Sequence, residues 1–189
     1  MLKEAANLNI VLLHDQMVDK TNKLVTTSLT LIDVHDISRS ARTYGVNKFY
    51  VAHSSPAIRK LARVMKDHWQ TGFGANYNPN RKEALEEVHL VTSLDEAIAE
   101  LELATGKFPK LIATSARPGG ERINFKQLQD SLAQDQPYLL MLGTGWGMSP
   151  ELLNRADYFL EPVASWTDYN HLSVRSACAI MLDRLLGKH

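Results

Sequence analysis

Surplus charge of either sign is missing from this sequence, in which 21 Lys and Arg offset 21 Asp and Glu. Proteins that hold nucleic acid unaided are usually basic, because neutralising phosphate supplies most of their affinity. Neutrality therefore counts against a strong stand-alone RNA or DNA binder and leaves room for a local basic face or a groove between two copies. Cysteine is almost absent as well. The only one, Cys178, excludes an internal disulfide and fits a reducing compartment, the cytoplasm by default. No apolar run approaches the roughly 20 residues that span a bilayer, so no membrane association is expected. The first residues, MLKE, show no secretory signal pattern. His14, His35, His53, His68 and His89 are scattered, with no pair at ligand spacing on one helix, so no metal is expected. There is no G-x-S-x-G elbow for hydrolase chemistry.

What is present suits one ordinary globular domain over residues 1–189, with 44% apolar and 22% charged residues. Residues 9–13 (NIVLL) read as a buried parallel strand. Leu29, Ile32, Ile37, Ala41 and Tyr44 recur at helical spacing, and Gly45 suits the helix end. Strands are expected at 48–52, 88–91, 110–114, 138–142 and 158–160. Helices are expected at 56–65 after Ser54 or Ser55, at 81–87, from Ser93 to about Thr105, at 123–133, after Ser149-Pro150, and over the closing stretch through Val174, Cys178, Met181 and Leu185. Residues 72–80 (GFGANYNPN) read as a loop. The alternation predicts an α/β fold with a mainly parallel sheet and helices on both faces.

The last third concentrates the unusual chemistry. Gly143-Thr144-Gly145-Trp146-Gly147 follows an apolar strand and precedes a capped helix, where open α/β sheets place ligands. Glycines let a backbone N–H approach a ligand closely, although a tight structural turn explains the same residues. Met148 breaks the dinucleotide pattern G-x-G-x-x-G. Residues 161–171 form a second polar loop leading into the closing helix, and Thr114-Ser115 a third strand end. Upstream, Asp33, Asp36, Arg39 and Arg42 cluster on one helix, where Asp36 and Arg39 also fit a plain helical ion pair.

GTGWGMSPELLNRADYFLEPV followed by DYNHLSVRSACAIMLDRLLG resembles the SPOUT superfamily of S-adenosylmethionine (SAM)-dependent RNA methyltransferases. TTSLTLIDVHDISRSARTYGV and NPNRKEAL extend the resemblance, to its small bacterial branch, over nearly the whole chain. It implies a C-terminal segment threaded as a deep trefoil knot, a rare exception to unknotted chains. It also implies a homodimer and an RNA substrate, tRNA or rRNA. The methyl donor would be held by Thr114 and Ser115; by Leu142, Gly143, Thr144, Gly145 and Trp146; by Leu160, Pro162 and Val163; and by Asn170, His171, Leu172 and Val174. Ribose-methylating relatives carry an N-x-x-x-x-x-R motif, which residues 33–39 match in spacing, making Arg39 the catalytic candidate. Two positions depart from their pattern: Asp33 replaces Asn, and Ser173 replaces Asn in S-L-N-V-S. Asp168 takes the place of a general base by analogy with guanine-N1 enzymes. The other readings are a donor-binding partner module without catalysis, or an α/β enzyme using NAD or ATP.

Overall fold

The computed structural model describes residues 7–117, 119–132 and 135–188. At its centre lies β1 (Leu8–Leu13), buried at every position. A strand without polar alternation needs cover on both faces. It pairs in parallel with β4 (Phe49–Ala52) on one side and β7 (Tyr138–Leu142) on the other. Beyond these lie β5 (Val88–Val91), β6 (Lys110–Ala113) and β8 (Tyr158–Phe159), in the order β5-β4-β1-β7-β6-β8. Every pairing in this sheet is parallel. The chain steps outward from β1 to β5, crosses to β6, and returns to insert β7 beside β1. That reversal makes a switch point, where neighbouring loops diverge and a crevice opens.

Neighbouring strand residues face opposite layers. Leu12, Leu140 and Ile112 pack with Val34, Ile37, Cys178 and Leu182 beneath α1 (Leu31–Tyr44) and α8 (Val174–Leu186). On that face too lies α2 (Pro56–Gln70), through Ala62. Val11, Leu13, Leu139 and Met141 meet Ile98 and Leu101 of α5 (Leu94–Thr105) and Leu152 of α7 (Pro150–Leu153). Helices therefore cover both faces, as the pattern predicts.

Local signals set most boundaries. Gly45 ends α1 at φ 72°, a left-handed conformation that favours glycine. Ser93 caps α5 by accepting from the Glu96 N–H, while the Glu96 carboxylate turns to the Thr92 N–H. Ser149 accepts from the Leu152 N–H and starts α7.

Several expectations are corrected. Helix α2 runs on to Gln70, past Met65. Residues 72–80 are not all loop, because α3 (Phe73–Tyr77) forms there and α4 begins at Pro79, giving α4 (Pro79–Glu86). A Cβ on Gly74 would sit 2.6 Å from the Trp69 ring, so glycine lets α3 lie against α2. Asn78 then caps α4 by accepting from the Arg81 N–H. The helix expected from residue 123 starts later, as α6 (Phe125–Ser131), because Ile123 is bridged to Leu160 beside β8. Asn124 and Gln127 close a capping box at that start. Residue 133 of that expectation lies outside the described residues. Strands β4, β6 and β8 are each a residue shorter than expected. The hairpin of β2 (Met17–Val18) and β3 (Leu24–Val25) answers to no sequence signal used above.

Candidate functional site

Strands β6, β7 and β8 end side by side, and their three following loops are tied together by hydrogen bonds. The Arg117 guanidinium donates to the Trp146 carbonyl at 2.8 Å, joining the first loop to the glycine turn. Asn170 Nδ2 donates to the Ala116 carbonyl at 3.1 Å, joining the first loop to the third. Arg122 does most: its guanidinium donates to the carbonyls of Arg117 (2.9 Å), Gly119 (2.9 Å) and Leu160 (3.0 Å). A planar fork suits three diverging carbonyls in a way that an ammonium does not. Thr114, buried, donates its hydroxyl to the Met141 carbonyl at 2.8 Å and fixes the end of β6 to β7. Ser115 accepts from the Arg117 N–H.

The glycine turn is also held from below. Trp146 N–H donates to the Val18 carbonyl, and Val18 N–H donates to the Gly147 carbonyl. Met17 bridges to Met148. Thr144 donates to the Leu13 carbonyl at 3.0 Å and hydrogen-bonds Thr27, whose hydroxyl also meets His14 Nδ1 at 3.1 Å. Gly143 and Gly145 have reasons inside the protein. A Cβ on Gly143 would meet Met148 Cγ at 2.8 Å, and one on Gly145, at φ 60°, would meet Thr27 Cγ2 at 2.9 Å.

The third loop is more open. Leu142 and Leu160 pack their side chains into the core, so only their main chains face the loops. Half-buried Val163 and Val174 pack against that core, whereas Leu172 and Trp146 are exposed, at 47% and 60%. Pro162 is half-buried. His171 meets Tyr169 edge-on at 5.2 Å, and Asp168 is exposed. Apolar surface beside glycine-turn main chain fits an adenosyl group, which needs an apolar wall and a few backbone hydrogen bonds. A cleft of about 170 Å³ between α1 and α4, lined by Ser38, Arg42, Phe49, Glu83 and Glu87, sits at the opposite, amino-terminal sheet edge. It is below the roughly 300 Å³ at which small-molecule sites begin.

On α1 the expected Asp36–Arg39 pair does not form. Asp36 meets Arg175 of α8 at 3.3 Å, and Arg175 also donates to Asp33 at 2.9 Å. Arg42 pairs with Glu83. Arg39 is thereby left exposed, with no carboxylate partner among the described residues. Sequence reasoning passed over Arg117, Arg122, Thr27 and Arg175. Thr27, inside TTSLTLIDVHDISRSARTYGV, and Arg175, inside YNHLSVRSA, lie in stretches that carry the resemblance.

Buried side chains here are quiet. Desolvation pushes the Cys178 thiol up to about 12, so it stays protonated and unreactive. Burial first, and then the neighbouring His53 charge, hold His14 down at about 4. Among the described residues, no group of three or more His, Cys, Asp or Glu is arranged to hold a metal ion, and no helix is long and apolar enough to cross a membrane.

Comparison with known proteins fits this geometry. The profile of a family described as SAM-dependent RNA methyltransferases matches residues 7–187. An uncharacterised protein of Aquifex aeolicus is 39% identical over 97% of this chain and 90% of its own length. A tRNA (guanine-N(1)-)-methyltransferase of Oleidesulfovibrio alaskensis is 42% identical over 96% of this chain, which spans only 42% of that relative. Among solved structures, the TrmH/SpoU tRNA modifying enzyme of A. aeolicus superposes with a TM-score of 0.59 at 17% identity, over 97% of this chain and 76% of that one. The SpoU methyltransferase AviRb of Streptomyces viridochromogenes, solved with bound SAM, gives 0.58 at 16%, over 96% and 57%. At such identities these structures speak for the fold. The family match, spanning nearly every residue, speaks for the chemistry, and the chain belongs to the SAM-dependent RNA methyltransferase family.

Proposed function

We propose that the three loops after β6, β7 and β8 form the methyl-donor pocket, and that Arg39 acts on the RNA acceptor. The observation that carries this reading is the binding of the three loops to one another through Arg117, Arg122 and Asn170. Bound SAM supplies a sulfonium-activated methyl group. The protein's task is to hold the acceptor atom in line with it, since positioning supplies much of the rate in such transfers. Val163, Leu172 and Val174 form the apolar wall, and the main chain of residues 142–146 and of Asn170 and His171 recognises the polar groups. Arg39, uncompensated on α1, stabilises negative charge gathering on the acceptor. Asp168, exposed beside the pocket, takes the acceptor's proton. The acceptor is a nucleotide of tRNA or rRNA.

The same reading includes one methyltransferase domain, a homodimer working in the cytoplasm, and a knotted C-terminus. Support for the knot comes from the inserted strand β7 and from α8 packing against both α1 and α6. Stretching single unfolded molecules tests it, since a knotted chain falls short of its full contour length.

The site is tested with RNA from a strain lacking the protein, incubated with methyl-labelled SAM. Wild-type protein is expected to label one nucleoside that the parent strain already carries. Arg39→Ala should lose this by about a hundredfold, within the range for a group acting on the acceptor's charge or proton. Calorimetric SAM binding should stay within about twofold. Unchanged nucleosides in the deletion strain would count for a donor-binding module without catalysis.

A further inference from the structure

The neutral sequence does not spread its charges evenly. Residues 56–82 hold six Lys and Arg against one acidic residue, Asp67. Two of the six are occupied internally. Arg59 donates to the carbonyls of His53 and Ser54, and Lys66 to that of Val88. Lys60, Arg63 and Lys82 are exposed, with no carboxylate partner among the described residues. The Arg81 guanidinium carbon sits over the Trp69 ring, 4.2 Å from its centroid.

Beside that stack, α3 presents two aromatic rings to solvent. Phe73 and Tyr77 are 77% and 76% exposed and stack on each other at 5.9 Å, nearly parallel at 22°. They do not fill the core, and α3 is seated by Gly74 against Trp69. On the other side, Trp69 meets His35 of α1 edge-on at 5.9 Å. Burial first, and next the positive field of Arg81, disfavour the charged form of His35, while the Asp36 carboxylate opposes them ahead of the smaller field of Arg39. His35 and Arg39 lie one turn apart on α1, so Trp69, edge-on to His35 and with Arg81 over its ring, links the α3 rings to the Arg39 side of that helix. Arg175 partly offsets the acidic residues of α1, by pairing with Asp33 and meeting Asp36 at 3.3 Å.

We infer that the surface formed by Phe73, Tyr77, Arg81 and Lys82 is a platform for single-stranded RNA that leads the acceptor nucleotide to Arg39. This rests on the role of Arg39 given under the proposed function. Exposed parallel rings accept unpaired bases on their faces, and cations beside them follow the phosphates. A protein partner of ordinary composition gains nothing from cations left unpaired around the rings, whereas a polyanion gains at each one.

The test uses the intact chain and a fluorescent oligouridylate of about 15 nucleotides, near the upper site size of a single-strand groove. Phe73→Ala with Tyr77→Ala is expected to weaken binding by about tenfold or more, as loss of base stacking does. Arg81→Ala with Lys82→Ala should lower the slope of log K against log salt by about 1.4, since each single-strand phosphate contact contributes about 0.7. Both variants should bind SAM as the wild type does, which separates failure of the platform from failure of the donor site. If Arg39→Ala leaves methyl transfer intact while these variants still lose RNA, the role of Arg39 fails and the platform stands. The inference is overturned if wild-type protein ignores the oligonucleotide, if either variant binds like wild type, or if the ring variant instead changes the protein's mass in sedimentation.

Discussion

Arg175 donates a hydrogen bond to Asp33 at 2.9 Å across 142 residues of sequence, joining the closing helix α8 to the first helix α1. Asp33 is only 8% exposed, so its charge needs that partner. The carboxylate standing where ribose-methylating relatives have an amide is thus the counter-ion of Arg175. Removing one partner of such a pair costs more than the pair contributes, because a charge stays behind. Arg175 is about one-third exposed, which moderates the effect. Arg175→Gln is expected to lower urea stability by about 1–2 kcal/mol. It also frees Asp36 to pair with Arg39, one turn away, so methyl transfer should fall as well. Asp36→Asn in the same chain should restore transfer without restoring stability. If transfer never falls in Arg175→Gln, Arg39 does not depend on Arg175 for its freedom.

Gly145 bears on the glycine turn's backbone and packing together. Its φ of 60° costs an alanine about 1 kcal/mol, and the new Cβ would press on Thr27 Cγ2. Gly145→Ala should therefore lose about 1–2 kcal/mol in urea and weaken SAM binding. Adding Thr27→Ser removes the offending methyl while keeping the hydroxyl that Thr144 and His14 use. The double variant should recover the steric part and leave the backbone part. No recovery would mean that the turn is limited by conformation alone.

Much of the fold was open to sequence reading because its signals are local. An unbroken apolar run marks β1, and Gly45, Ser93 and Ser149 mark helix ends within a few residues of themselves. The β2–β3 hairpin was not, since each strand has two residues and the turn is fixed by Asp19 accepting from the Thr21 and Lys23 N–H groups. Residues 72–80 misled for a related reason: glycine there serves packing against Trp69 rather than a turn. The glycine turn was readable as a turn closing an apolar strand. Its supports were not, because Arg117 and Arg122 reach carbonyls 29 and 38 residues away. The Asp36–Arg39 spacing pointed to a pair, yet Asp36 meets Arg175 of another helix instead.

Arg122 offers the sharpest test of the donor loops. One guanidinium serves three carbonyls on two loops, so truncation frees both. Arg122→Ala should weaken SAM binding about tenfold, equivalent to roughly 1.4 kcal/mol. Arg122→Lys should rescue little, since a single ammonium cannot reproduce the fork. Calorimetry on the three proteins decides this. Full binding by Arg122→Ala would remove the loop junction from the donor site.

Acid stability should carry the mark of His14. The ring is 1% exposed, and its folded pKa of about 4 lies below the unfolded value of 6.5. The unfolded chain therefore binds the extra proton first as pH falls, and stability drops with it. The contribution is complete above about pH 6.5 and declines through the window down to about pH 4. At full size it amounts to about 3 kcal/mol for this one group. His35 and His89 are shifted the same way, so the whole protein's pH profile is not specific to His14. The difference between wild type and His14→Asn is. The Asn side chain can hydrogen-bond Thr27 in place of Nδ1, as donor or acceptor, but does not titrate. His14→Asn should be less stable at pH 7, for loss of packing, yet lose less stability between pH 6.5 and 4. Parallel urea curves at every pH would show that His14 is not held neutral by the fold.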